Sequence, residues 1–162
     1  ITANTTFSGP VRSENGFKTI VKSATTGALT NEMTFSQYTA TVTVASGATT
    51  GKESSIGIPS NFIPMGVTIA VTTAATNSVT LTDIGTDADT DGFVDGISPA
   101  INSTGFKGFF PCNGVLGMSG GATTASTATA DEVEVVVSGD PGASGVTMVL
   151  KFIGISSSSD AS

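Results

Sequence analysis

Four carboxylates fall within nine residues in Asp87-Ala-Asp89-Thr-Asp91-Gly92-Phe93-Val94-Asp95. The Asp-x-Asp-x-Asp-Gly spacing matches the first half of a calcium loop, in which alternate carboxylates converge on one hard cation and Gly permits the sharp turn between them. Asp95 falls at the ninth position of such a loop, where a ligand is often supplied through water. The twelfth position is Ser98, not the Glu that would clamp the ion from two oxygens, and no flanking helices are legible. Without a cation, carboxylates this close repel one another. Asp87, Asp89, Asp91 and Asp95 are therefore the candidate metal ligands and calcium the candidate ion. The plain alternative is a solvated acidic turn between strands.

Other chemistry lacks its parts. The chain has no His, which removes the commonest general base, the commonest zinc ligand and any ordinary Ser-His-Asp relay. A Ser–Lys pair on Lys52, Lys107 or Lys151 has nothing local to mark it. The scattered acids read as surface charge before they read as the paired carboxylates of glycoside hydrolysis. Cys112, the one Cys, follows Phe109-Phe110-Pro111 and has the apolar setting of an inert buried thiol. A single Cys excludes an internal disulfide. Gly117-Met-Ser-Gly-Gly121 is not a phosphate loop, since no Gly-x-x-x-x-Gly-Lys-Ser/Thr occurs. The expectation is a protein with no catalytic residues, no required cofactor and no enzymatic activity.

Composition narrows what must hold these residues in place. Only 12% of residues are charged and mean hydropathy is +0.26. Thr, Ser, Ala and Gly are abundant, with many Val and Ile among them. Low charge together with β-branched residues argues a folded sheet and not disorder, and Thr suits the solvated face of a half-buried strand. Net charge is −7. Residues 1–22 hold Arg12, Lys18 and Lys22 against Glu14, a balance of +2, and the remainder holds three Lys and twelve acids, a balance of −9. An acidic body opposes nucleic-acid binding, which needs clustered Lys and Arg. The basic head is either chance or an arm that docks on an acidic partner. No apolar run is long enough for a membrane helix, so no membrane span is expected; no basic-then-apolar leader is seen at Ile1, which leaves export open because a chain beginning there can already be trimmed.

The periodicity is that of strands. Phe17–Val21 reads as one short strand, either within an extended arm or as the first strand of the core sheet. Phe35, Tyr38, Ala40, Val42 and Val44 then alternate with Thr. Further strands are expected over 52–58, 67–73, 79–83, 93–97, 105–110, 133–138 and 145–155, with Gly, Pro and Asn turns between them. Gly139-Asp-Pro-Gly142 makes the last pair read as a hairpin. The Ala/Thr-rich stretch 113–130 is long for a structureless connection, which points to a contact loop. Phe106, Phe109 and Phe110 read as core packing, or else as a subunit contact. About eight strands at this spacing predict an all-β fold: an antiparallel β-sandwich or jelly-roll-like barrel. The expected organisation is an extended N-terminal arm (1–30), a β-sandwich domain (31–155) and a polar C-terminal tail (156–162).

Three stretches carry a resemblance. Asn4-Thr-Thr-Phe-Ser-Gly-Pro-Val-Arg-Ser-Glu-Asn-Gly-Phe-Lys-Thr-Ile20 resembles the opening of small structural proteins from marine cyanophages and related tailed phages. Asp83-Ile-Gly-Thr-Asp-Ala-Asp-Thr-Asp-Gly-Phe93 is similar to a Gly-Thr-acidic-loop-Phe pattern in phage virion proteins, and Glu132 to Ile155 is similar to their closing hairpin. Together they touch about a third of the chain. The resemblance implies a non-enzymatic virion component, β-rich and often trimeric, that decorates or cements the outer capsid surface. Its partner would be the major capsid protein, contacted by an arm reaching between capsid subunits. Phe7, Val11, Arg12, Phe17 and Lys18 are the arm residues expected to touch the shell.

Three rivals stand beside it. A glycan- or receptor-binding module on a tail or fibre would present exposed Trp and Tyr, whereas this chain has no Trp and only Tyr38. A subunit of an extracellular filament would need an exposed strand edge. A calcium-dependent adhesion module would depend on the Asp87–Asp95 loop.

Overall fold

A computed structural model describes residues 17–22, 25–26, 29–54, 58, 62–117 and 131–156. Eight strands are present: β1 (Phe17–Lys22), β2 (Leu29–Val44), β3 (Thr50–Lys52), β4 (Phe62–Thr73), β5 (Leu81–Thr86), β6 (Gly105–Pro111), β7 (Val133–Val137) and β8 (Val146–Ser156). They form two antiparallel sheets, one of five strands in the order β1-β2-β8-β4-β6 and one of three in the order β3-β7-β5. The fold is all-β, as the alternation predicts, and no helix occurs among the described residues.

The two sheets close on one core. Ala40, Val42 and Val44 of β2, Val67, Ile69 and Val71 of β4, and Val146, Met148, Leu150 and Phe152 of β8 point inward from the larger sheet. Leu81 and Ile84 of β5 meet them from the smaller one, with Val133, Val135 and Val137 of β7. Each such Val, Leu, Ile, Met or Phe side chain, fully buried, stabilises the fold by about 1.5–3 kcal/mol. Phe152 stands at the centre, stacked with Tyr38 and edge-on to Phe93 at a centroid distance of 5.7 Å.

From β2 to β8 the chain repeatedly changes sheets, and this overturns the expected closing hairpin. β7 pairs with β3 and β5, whereas β8 pairs with β2 and β4, so 138–145 is a crossing between sheets. Alternation records that one face of each strand is buried; it does not record which strand lies alongside. Local chemistry at the crossing favours the arch. The Asp140 carboxylate accepts from the N–H groups of Gly142 and Gly47, both at 2.8 Å, which ties the crossing to the end of β2. Gly142 sits at φ 88°, where a Cβ would strike the Thr76 hydroxyl.

Three further elements differ from expectation. The strand expected over 52–58 is the three-residue β3, followed by isolated bridges at Glu53 and Ile58; residues 55–57 lie outside the described residues. The segment 93–97 makes one bridge, Ile84 to Val94, instead of a strand. Phe93 and Val94 are both fully buried, so alternation fails there, and the side chain of Asn113 takes the backbone N–H and C=O of Asp95. β4 starts earlier than its Pro suggests because Pro64, which has no N–H to donate, sits at a register shift between Pro64 and Gly66.

Candidate interaction surface

The outer face of the five-stranded sheet divides into two halves. Rows across β2, β8 and β4 follow from the register. Thr43, Thr147 and Thr73 form one row, Thr41, Val149 and Ala70 the next, and Thr39, Lys151 and Thr68 the third. Hydroxyls satisfy one another or the backbone there, as in Thr43 to Thr147 and Thr72 to the carbonyl of Thr147. Beyond Lys151 the face turns apolar. Ile153 stands between Gln37 and Gly66, and Ile155 between Phe35 and Ile63. The Phe109 ring of β6 lies over Gly66, where a Cβ would overlap it.

These apolar groups are open to solvent. Phe35 is 45% exposed, Ile153 47% and Phe109 51%, and Met65 of β4 is exposed as well; Phe106, more exposed still, lies at the sheet edge in the Thr41–Val149–Ala70 row of the other half. Of the three Phe residues read as core, only Phe110 packs against it. Contiguous exposed apolar surface of this kind marks contact sites. A signal for it was present in β8, where the outward positions pass from Thr147 through Lys151 to Ile153 and Ile155. A strand apolar on both faces has something to cover on each.

Charge separates along the same division. The five strands of the larger sheet hold Lys18, Lys22, Lys107 and Lys151 against Glu32, a balance of +3. The smaller sheet and the residues flanking its strands hold Lys52 against nine acids: Glu53, Asp83, Asp87, Asp89, Asp91, Asp95, Asp131, Glu132 and Glu134. Two of these cations are the amino-end Lys18 and Lys22 of β1; β6 and β8 add one each, Lys107 and Lys151, and β4 carries no charge.

The acidic loop is anchored from below and its carboxylates take different partners. Phe93 and Val94 plug the core beneath it, and the N–H of Leu116 and that of Gly114 bond back to Gly92 and Phe93. Asp87 pairs with Lys52 at 2.5 Å, while Asp89 shares a hydrogen bond with Asp91 that raises the Asp89 carboxyl above the ordinary range. Among the described residues no group of three or more His, Cys, Asp or Glu gathers to hold a metal ion. Lys52 also approaches Glu134, which burial pushes upward despite that cation. Cys112 is buried, and desolvation pushes its thiol up to about 12, far from a reactive thiolate.

Comparison with family models, with curated proteins and with solved structures finds no match to this chain.

Of the arm residues, Phe7, Val11 and Arg12 lie outside the described residues. Phe17 and Lys18 begin β1, at register with Phe35 and Thr34 of β2. Of the loop 113–130, residues 113–117 fold against the acidic loop and 118–130 lie outside the described residues, as does the tail after Ser156.

Proposed function

We propose that the chain is a non-enzymatic structural protein of a tailed-phage virion, a decoration or cement protein seated on the outer capsid shell. The observation that carries this reading is the division of the sandwich into a cationic sheet with exposed apolar groups and an acidic opposite side. A protein built to sit on a larger assembly needs one face to bury and one that repels further association, and this division supplies both. The major capsid protein is the proposed partner and a homotrimer the proposed state, both following from the resemblance. Binding across subunit joints would stabilise the assembled shell by mass action, because the chain binds that state and not its separated parts.

The strand order supports a more specific description of the fold. From β2 onward the larger sheet runs β2-β8-β4-β6 and the smaller β3-β7-β5, with 93–97 bridged to the outer side of β5. We read this as a jelly roll of eight positions, counted from β2, in which the fifth strand is reduced to the bridge at 93–97 and β1 is an addition at the edge of the larger sheet. Jelly rolls serve in capsids but also in lectins and cupins, so the fold permits the virion reading without selecting it.

Quantitative proteomics of purified source particles tests the proposal. The expected result is this chain in a fixed copy ratio to the major capsid protein. Its absence from particles, or a copy number matching a tail component, would overturn it.

A further inference from the structure

We propose that the apolar half of the outer face of the five-stranded sheet is the docking footprint, and that it seats on a partner protein surface apolar at its centre and acidic at its margin. The footprint comprises Phe35, Ile63, Met65, Phe109, Ile153 and Ile155. This rests on the shell-docking reading and names the surface that performs it.

Three observations converge. The first is composition: two aromatic rings, three Ile and one Met lie on one end of the face, at positions that in a solvated sheet would carry Thr, as six of the nine positions in the other three rows do. Large apolar anchors of this type, grouped and surrounded by polar groups, dominate the energy of protein contacts. The second is charge. β4, β6 and β8 contain no acid, and their two cations, Lys107 and Lys151, belong to the strands that supply Phe109, Ile153 and Ile155. Lys151, in the row that borders Ile153, gives the footprint a cationic edge that fits an acidic margin on the partner and steers the encounter, whereas Lys107 lies toward the Thr-covered end on Ser103. The third is position. β1 enters the sheet at Phe17, at register with Phe35, so the basic segment read as an arm joins the fold beside this footprint.

A second copy of the chain fits the face less well. Two copies meeting through this face would oppose like cations. On the acidic side of another copy three carboxylates already have partners, Asp87 with Lys52, Glu53 with Tyr38 and Asp83 with the N–H of Gly96. The large apolar groups exposed among the described residues lie on strands of the larger sheet, apart from Val115. The three-stranded sheet therefore offers little apolar surface to match.

The test is rebinding of purified full chain to source particles stripped of it. Ile153→Glu and Phe109→Ser each should raise the concentration for half-occupancy by about tenfold or more. Thr41→Glu, the same charge placed on the Thr-covered half, should change it little, and wild-type binding should weaken as salt rises. Melting temperatures near the wild-type value for all three confirm folded variants, as their side chains are exposed. Equal rebinding of wild type and both apolar-half variants would overturn this inference alone. So would equal loss in Thr41→Glu, or a wild-type dimer in free solution that Ile153→Glu dissociates. Failure of the wild-type chain to rebind would overturn the parent reading and this one together.

Discussion

The hydroxyl of Tyr38 donates a 2.7 Å hydrogen bond to Oε2 of Glu53, while Oε1 of the same carboxylate accepts from the backbone N–H of Val133 at 3.2 Å. One buried carboxylate thereby joins β2 of the larger sheet to β7 of the smaller. Glu53→Ala leaves the Tyr38 hydroxyl and the Val133 N–H without this acceptor, and should lower unfolding free energy by about 2 kcal/mol; Tyr38→Phe should cost about 1 kcal/mol. Chemical denaturation of the two variants and their double mutant checks both values and their coupling.

The same pair predicts an alkaline limit. Desolvation and then the hydrogen bond and charge of Glu53 raise the Tyr38 hydroxyl above its ordinary 10.0. A raised folded-state value means the contribution is fully present below pH 10 and is lost as pH climbs through the folded-state value. Wild type should therefore lose stability above pH 10 more steeply than Tyr38→Phe, as read by melting temperature against pH.

Glu134 should behave in the opposite way from a stabilising surface acid. Burial raises its carboxyl above the ordinary 4.5, with Lys52 only partly opposing. Holding it ionised in the fold is therefore unfavourable at neutral pH, and Glu134→Gln should melt no lower than wild type at pH 7. Any advantage should shrink as pH falls toward and below 4.5, where wild-type Glu134 becomes neutral as well. A large loss of stability at pH 7 would contradict this account of the Lys52–Asp87–Glu134 group.

At the crossing between sheets, Gly142→Ala should destabilise by more than about 1 kcal/mol, because φ 88° is strained for Ala and its Cβ meets Thr76. Asp140 adds a pH signature. Its bonds from Gly142 and Gly47 hold its carboxyl below the ordinary range, so its contribution is present above pH 3.8 and lost as pH falls through the lowered value. Asp140→Asn should flatten the acid limb of the stability curve.

Calcium should not alter the melt. Asp87 is engaged by Lys52, Asp89 and Asp91 share a hydrogen bond, and the backbone of Asp95 is held by Asn113. Melting curves in excess calcium and in chelator should superimpose; a clear rise with calcium would show that the loop rearranges to bind it.

Much of the fold was legible because strand alternation is a local signal. Val42 and Val44 against Thr41 and Thr43 fix which face of β2 is buried, and the structure keeps that assignment. Pairing was not legible, since the partners of β7 and β8 are set by sequence-distant strands. The Gly139–Gly142 turn looks the same to local reading whether it closes a hairpin or an arch. The acidic loop was located correctly as a turn, but the long reach of Lys52 from β3 decides what Asp87 does. Phe109 read as core because aromatics usually are, yet it must face opposite to its neighbour Phe110, which packs on the core; the register shift between Ile69 and Ala70, which spacing does not encode, is what turns Phe106 away from the face of Phe110 as well.

The central claim is that this sandwich sits on a shell with its cationic, apolar-faced sheet inward and its acidic side to solvent. Cryo-EM of intact source particles tests it most directly. The expected result is density for this chain at capsid subunit junctions, with Ile153 and Phe109 against the shell and the Asp87–Asp95 loop exposed. Density in a tail, or on the shell with the three-stranded sheet inward, would contradict it.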